Sequence, residues 1–243
     1  MKSIAIIGAA LVFLGLFTQE AAAKGLTGTS LPFQYNHLEE LEAIVAQNRQ
    51  DLAAIVMEPI RDEQPKLGFF DGVRNIADEI GAVLVIDEIS AGFRMNTGGA
   101  HLNLGISPDI AIFSKALGNG YPIGAIIGKA KVMDIVQDTF ISSTCWTERI
   151  GPSAALACIK KHIAVNAGPH LVSIGKQIQQ GWKNLANKRG LKIHVGGIPP
   201  LSHFVFEYED ALTIKVLFVQ LMLENGFLAS NLFYAMVSKR AFR

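Results

Sequence analysis

Two residues of this chain sit where chemistry is expected, Asp87 and Lys115, each at the end of an unbroken apolar run. Residues 83–86, Val-Leu-Val-Ile, show no polar alternation, the pattern of a strand buried on both faces of a parallel sheet. That run ends in Asp87 and Glu88. A second run, Asp109-Ile110-Ala111-Ile112-Phe113, delivers Ser114 and Lys115 just ahead of the helix-breaking turn Gly118-Asn119-Gly120-Tyr121-Pro122. In open α/β sheets the ligand crevice lies beyond the carboxyl ends of the strands, so an acid and an amine placed there can face one small molecule. Such a pair points to imine chemistry, in which a lysine amine with a lowered pKa attacks a carbonyl. Successive strand residues point to opposite faces, so only one of Asp87 and Glu88 reaches that molecule if the strand persists through both. An acidic strand end also holds metal in ATPases, but the Gly-x-x-x-x-Gly-Lys-Ser/Thr loop this requires upstream is missing from the sequence.

The text around these residues is longer than a motif. It comprises Val85-Ile86-Asp87-Glu88-Ile89-Ser90-Ala91-Gly92-Phe93-Arg94, then Pro108-Asp109-Ile110, then Ser114-Lys115-Ala116-Leu117-Gly118-Asn119-Gly120-Tyr121-Pro122. Met57-Glu58-Pro59, Gly68-Phe69 and Trp146-Thr147-Glu148-Arg149-Ile150-Gly151-Pro152 follow the same order. Together they resemble the class III aminotransferases, pyridoxal-phosphate enzymes of fold type I, and within that group the glutamate-1-semialdehyde 2,1-aminomutase-like proteins. The resemblance implies an α/β fold of the PLP-dependent transferase type I, here an incomplete large domain with a mainly parallel sheet plus a partial small α+β C-terminal domain. It implies pyridoxal 5'-phosphate as cofactor, with Lys115 as Schiff-base lysine and proton shuttle and Asp87 as partner of the pyridine nitrogen. Glu88 is then a buried hydrogen-bonding residue. Thr147 matches a threonine that, in the family's homodimer, reaches the cofactor phosphate of the neighbouring subunit; Ser143 and Thr144 are rivals for that place.

The implied activity is that of an aminotransferase or aminomutase acting on a small amino acid or amino-aldehyde/keto substrate. The alternative is a catalytically impaired remnant or association subunit of such an enzyme. Relative to the family the chain is expected to be truncated at both ends. The glycine- and serine-rich phosphate loop and the ring-stacking aromatic that precede the strand-end aspartate in the family are not found before Asp87. Missing strands would leave sheet edges and apolar faces uncovered, which favours association.

Composition sets the frame for these elements. With 243 residues, half of them apolar, the chain can bury a sizeable core, and a net charge of +1 argues against nucleic acid or an anionic membrane surface as partner. Cys145 and Cys158 have neither metal-ligand nor disulfide spacing, and the six histidines form no ligand cluster, so no metal site is expected. Residues 1–24 combine Lys2, an apolar run from Ile4 to Phe17 and the small residues Ala21-Ala22-Ala23. They read equally as a cleavable secretory leader or as a misplaced or fused apolar gene start or a buried strand and turn; the resemblance implies a cytoplasmic location, with export the alternative. Residues 25–165 are expected to form the partial cofactor-binding domain and residues 166–243 the partial small domain.

The elements that must position Asp87 and Lys115 follow from periodicity. A helix is expected over residues 37–48 with Asn36 as cap, a strand over 51–57 ending at Glu58-Pro59, and a helix after Gly68 that buries Phe70, Val73, Ile76, Ala77 and Ile80. With residues 83–86 these form a strand-helix-strand unit. A long polar connection over residues 90–107 carries Arg94, expected in a surface or interface salt bridge, although it could hold a substrate carboxylate. Beyond Lys115, a strand over 123–127 and helices over 131–137, 150–165 and 171–188 are expected, the last with Trp182 on its buried side. Strands over 191–195 and 203–206, a helix over 211–223 and a stop at Gly226 complete the reading.

Overall fold

Sixteen helices and strands can be followed in the structure, a computed structural model that describes residues 2–7, 28–141 and 148–237. In chain order they are β1 (Lys2–Ile7), β2 (Ser30–Gln34), α1 (Leu38–Asn48), β3 (Leu52–Met57), α2 (Phe69–Ile80), β4 (Val83–Asp87), α3 (Ala100–Asn103) and β5 (Ile110–Phe113). They continue with β6 (Ala125–Gly128), α4 (Ala130–Met133), α5 (Ile150–Ala164), α6 (Ala167–Arg189), β7 (Ile193–Gly196), β8 (Leu201–Phe206), α7 (Ala211–Glu224) and β9 (Leu232–Tyr234).

One sheet runs β2-β1-β3-β4-β5-β6, and a second, antiparallel one runs β7-β8-β9. In the first, β3, β4 and β5 are parallel, whereas β1 is antiparallel to both β2 and β3, and β6 is antiparallel to β5. The parallel centre is the part with unbroken apolar runs, as expected for strands covered on both faces. The β3–β4 register pairs Met57 with Ile86, and the β4–β5 register pairs Asp87 with Ile112. Residues 2–7 of the amino-terminal apolar stretch therefore lie within a sheet.

The helix α2 shows how sequence sets geometry. It begins after Gly68 and ends at Gly81, both left-handed, and the Gly81 amide closes onto the carbonyls of Ala77 and Asp78. Its Phe69, Phe70, Val73 and Ala77 are buried in one cluster with Leu41, Ile55, Leu84 and Ile86, while Ile76 and Ile80 pack on its margin. Tyr35 enters the same cluster edge-on to Phe69 and Phe70, and its hydroxyl donates to the Pro59 carbonyl at 2.6 Å. Farther along the same face, Ala111, Phe113 and Leu117 pack with Ala155 of α5, while Ala54, Val85 and Ile110 pack together on the opposite face.

Two local expectations are corrected. Asn36 does not cap α1; His37 occupies the cap position without a side-chain bond. Asn36 instead takes a left-handed backbone, which asparagine tolerates, and its amide bonds the Lys66 N–H at 2.8 Å and the Gln64 carbonyl at 2.9 Å. The strand after the Lys115 turn begins at Ala125 and not at Ile123. The Ile123 carbonyl is already taken by the Ser114 hydroxyl at 2.8 Å, so the turn extends two residues further before the ladder starts. Trp182 is half-buried, edge-on to Phe204 at 5.0 Å, on the side of α6 that faces β8.

Candidate active site

Three parallel strands end side by side, and each presents an ionisable group just past its last residues: Glu58 after β3, Asp87 closing β4, and Lys115 two residues after β5. Parallel strands lie about 4.8 Å apart, so the ladder sets the spacing of these groups. Lys115 has φ +45°, in the left-handed region, a conformation that costs about 1 kcal/mol or more for a residue with a Cβ. Its carbonyl accepts the Asn119 amide at 2.9 Å, and Leu117 N–H bonds the Ser114 carbonyl at 3.0 Å, closing a single 3-10 turn. The turn aims the amine back at the crevice, where Nζ donates to Ser90 Oγ at 2.8 Å.

Asp87 and Glu88 diverge as alternation requires. Asp87 Oδ1 accepts the Ile89 amide at 2.8 Å, and the residue remains partly accessible. Glu88 is fully buried: its carboxyl oxygens accept the amides of Ala100 and His101 at 2.9 and 2.8 Å and the His101 ring Nδ1 at 2.7 Å. One acid faces the crevice, and the other pins the connection that follows it.

That connection is also held from α5. His162 Nε2 donates to the Phe93 carbonyl at 3.0 Å, which leaves Nδ1 to accept from Thr97 Oγ1 at 2.7 Å. Phe93, left-handed at φ +59°, lies edge-on to Phe113. Arg94 follows, and it forms no ion pair among the described residues, so the expected salt bridge is not found there. Its guanidinium lies 5.6 Å from the Tyr234 ring centroid, and Nε is buried without an acceptor among the described residues. The reason is its partner's chemistry: β9 brings an aromatic face to the guanidinium, not a carboxylate.

The electrostatics of the crevice are shared. Burial raises the Asp87 carboxyl above its ordinary value, partly offset by the Ile89 amide, Lys115 and Arg61. Desolvation lowers the Lys115 amine; Glu58 and Asp87 push it up, and Arg61 and Arg94 push it down. Burial also raises the Glu58 carboxyl, with Arg61 opposing. A lysine with a depressed pKa beside a carboxylate is the combination that a nucleophilic amine needs at neutral pH.

The residues brought together include both sequence-predicted ones inside the described region, Asp87 and Lys115; Thr147, Ser143 and Thr144 lie outside it. Sequence reading missed Ser90, which receives the lysine, and Glu58 and Arg61, whose charges act on it. The position of Glu58 one residue past an apolar run, like Asp87, was the available signal. The donor set fits pyridoxal 5'-phosphate at its ring and its aldehyde: a strand-end carboxyl for the pyridine nitrogen, and an amine with lowered pKa for the carbonyl. Among the described residues no group of three His, Cys, Asp or Glu is placed to hold a metal ion, and no helix is long and apolar enough to cross a membrane.

A parallel strand centre with lysine and aspartate at neighbouring strand ends, an antiparallel flank and a separate small antiparallel sheet make up the fold of the PLP-dependent transferases of fold type I, and solved structures agree. The PLP internal aldimine form of the Sphingopyxis sp. MTA144 FumI protein is similar with a TM-score of 0.78 and 26% identity, over 84% of this chain and 51% of that one. The acetylornithine aminotransferase from Elizabethkingia anophelis shares the fold with a TM-score of 0.74 and 22% identity, over 85% of this chain and 58% of that one. Residues 24–234 match the family described as aminotransferase class-III, and the chain belongs to that family. Among curated relatives, a 3-aminobutyryl-CoA aminotransferase from Cloacimonas acidaminovorans (strain Evry) is 31% identical over 207 residues, 81% of this chain and 50% of that protein. The chain thus spans about half the length of the relatives it matches.

Proposed function

We propose that this chain carries the lysine and aspartate of a pyridoxal-phosphate-dependent aminotransferase or aminomutase acting on a small amino acid or amino-aldehyde/keto substrate. The observation that carries the reading is the placement of Asp87 and Lys115 at adjacent ends of parallel β4 and β5, the amine bonded to Ser90 Oγ at 2.8 Å. Pyridoxal phosphate, when bound, supplies an aldehyde for amine condensation and a ring that accepts electrons from the substrate's α-carbon. Asp87 holds a proton on the ring nitrogen, which its own Ile89 bond leaves one oxygen free to do. Lys115 would be the amine for that condensation and would hold or give up the proton of the α-carbon, its lowered pKa making both the free base and the ammonium accessible. Ser90 holds the amine in the crevice. Thr147 reaches a phosphate across a homodimer in this reading.

The test is the visible spectrum of the purified chain with added pyridoxal phosphate, before and after borohydride reduction. A band fixed by reduction to a single pyridoxylated peptide containing Lys115, and lost in Lys115→Ala, is the expected result. Identical behaviour of wild type and variant would leave the chain a remnant of its family's fold. Sedimentation equilibrium with cofactor present should give twice the monomer mass; a monomer with cofactor fixed would remove the homodimer from the proposal.

A further inference from the structure

Glu58 is the group at this crevice that no role so far absorbs. By the β3–β4 register it stands opposite Asp87, one step beyond the pair Met57 and Ile86. Register partners on parallel strands project to the same face, so the two acids share the crevice side of the sheet. Its Oε1 lies 3.4 Å from the guanidinium of Arg61, and its Oε2 is buried with no hydrogen-bond partner among the described residues. A buried carboxyl oxygen left unpaired has given up its hydration without a replacement, which structural packing alone does not explain.

We propose that Glu58 is a positioning residue of the Lys115 centre: a third strand-end group, aligned with Asp87 and tied to Arg61, that places its charge against the lysine amine. The inference rests on the reading of Lys115 as the reactive amine. Among the described residues the charged groups around the centre come from three segments. From the segment after β3 come Glu58, Arg61 and Asp62, the last facing His203 of β8 at 3.7 Å. From β4 comes Asp87, and from the connection beyond it Arg94. Among these, Glu58 exerts the largest single charge effect on Lys115, holding the amine toward its protonated form, and Arg61 exerts the largest effect in the opposite sense. The ion pair between them therefore acts as a trim on the lysine: strengthening either partner's hold moves the pH at which the amine becomes a nucleophile.

The two partners have opposite signs, which gives the test its power. The full-length chain, without cofactor, is labelled with trinitrobenzenesulfonate between pH 7 and 9, and modification of the Lys115 peptide is followed by mass spectrometry. Glu58→Gln should label faster at pH 7.5 by about threefold, the change that half a pKa unit produces. Arg61→Gln should label more slowly, and Glu58→Asp should return toward the wild-type profile. Profiles that superimpose, or that shift in the same direction for Glu58→Gln and Arg61→Gln, would overturn the proposal, since a packing role predicts no opposition. Should Glu58→Gln fail to fold, the exposed Arg61 decides alone: labelling of Arg61→Gln at or above the wild-type rate overturns it. Because no cofactor takes part, failure here is distinguishable from failure of the borohydride experiment.

Discussion

Glu88 and Asp87 share a peptide bond and almost nothing else. Three hydrogens converge on the Glu88 carboxyl from Ala100 and His101, in a site with no solvent access. Glu88→Ala would leave two amides and a ring N–H unsatisfied, at a cost of about 3 kcal/mol. The urea midpoint should fall accordingly, and an unchanged midpoint would show that water replaces the carboxyl without penalty. That the two acids face opposite ways was legible in the sequence, because alternation along a strand needs only the strand's position and not its tertiary setting; which of them lines the crevice came from the resemblance. The surroundings of Arg94 and Asn36 were not legible. What each touches, Tyr234 for one and the 64–66 segment for the other, is remote in sequence and follows from how distant elements pack.

Among elements, α6 is the one whose placement depends on absent side chains. Gly175 lies against the backbone of Pro199, and Gly168 against that of Met95, so neither position has room for a Cβ. These contacts bring a 23-residue helix against both the β7–β8 connection and the connection that carries Arg94. Gly175→Ala gains about 1 kcal/mol of helix propensity but forces backbone apart at a typical cost of 1–3 kcal/mol or more. The outcome expected is a net loss, seen as a melting temperature lower by several degrees; a rise would mean that α6 slides freely over Pro199. Apolar spacing placed α5 and α7 within a residue or two, but α6 begins at Ala167, four residues before the expected 171, and the helix expected over 131–137 is the short α4 continued by a 3-10 turn. The start of β6 was not readable, because the competing bond from Ser114 to Ile123 belongs to turn chemistry that spacing does not encode. Nor was β9, three residues whose strand identity depends on pairing with β8.

For the molecule as a whole, the response to acid should centre on Asp109. This buried residue joins three elements: its carboxyl accepts the Leu84 amide of β4, pairs with Arg74 of α2 at 2.8 Å, and pairs with Lys129 beyond β6 at 2.9 Å. Burial alone would raise its pKa, but the Leu84 amide, Lys129 and Arg74 hold it at about 2. An unfolded aspartate titrates near about 3.9, so the folded form binds its proton later than the unfolded form does. The stability this confers, about 2 kcal/mol, is fully present above that unfolded value and is lost as pH falls toward 2. Asp109→Asn should be less stable than wild type at pH 7 and should approach it on acidification, checked by urea titrations at pH 7, 4 and 2.5. Parallel loss in both proteins at every pH would show that other carboxyls govern the acid limb.

The consecutive strands that end in Glu58, Asp87 and Lys115 have a consequence for how the crevice comes apart. All three groups and the α2 crossover lie within residues 52–117, and one hydrophobic cluster joins β3, α2 and β4. Neighbouring elements packed on one core tend to open and close as a single cooperative unit. The crevice is then present whole or not at all in any partly unfolded form, because the ladder that spaces its groups cannot fray at one group without loosening its neighbours.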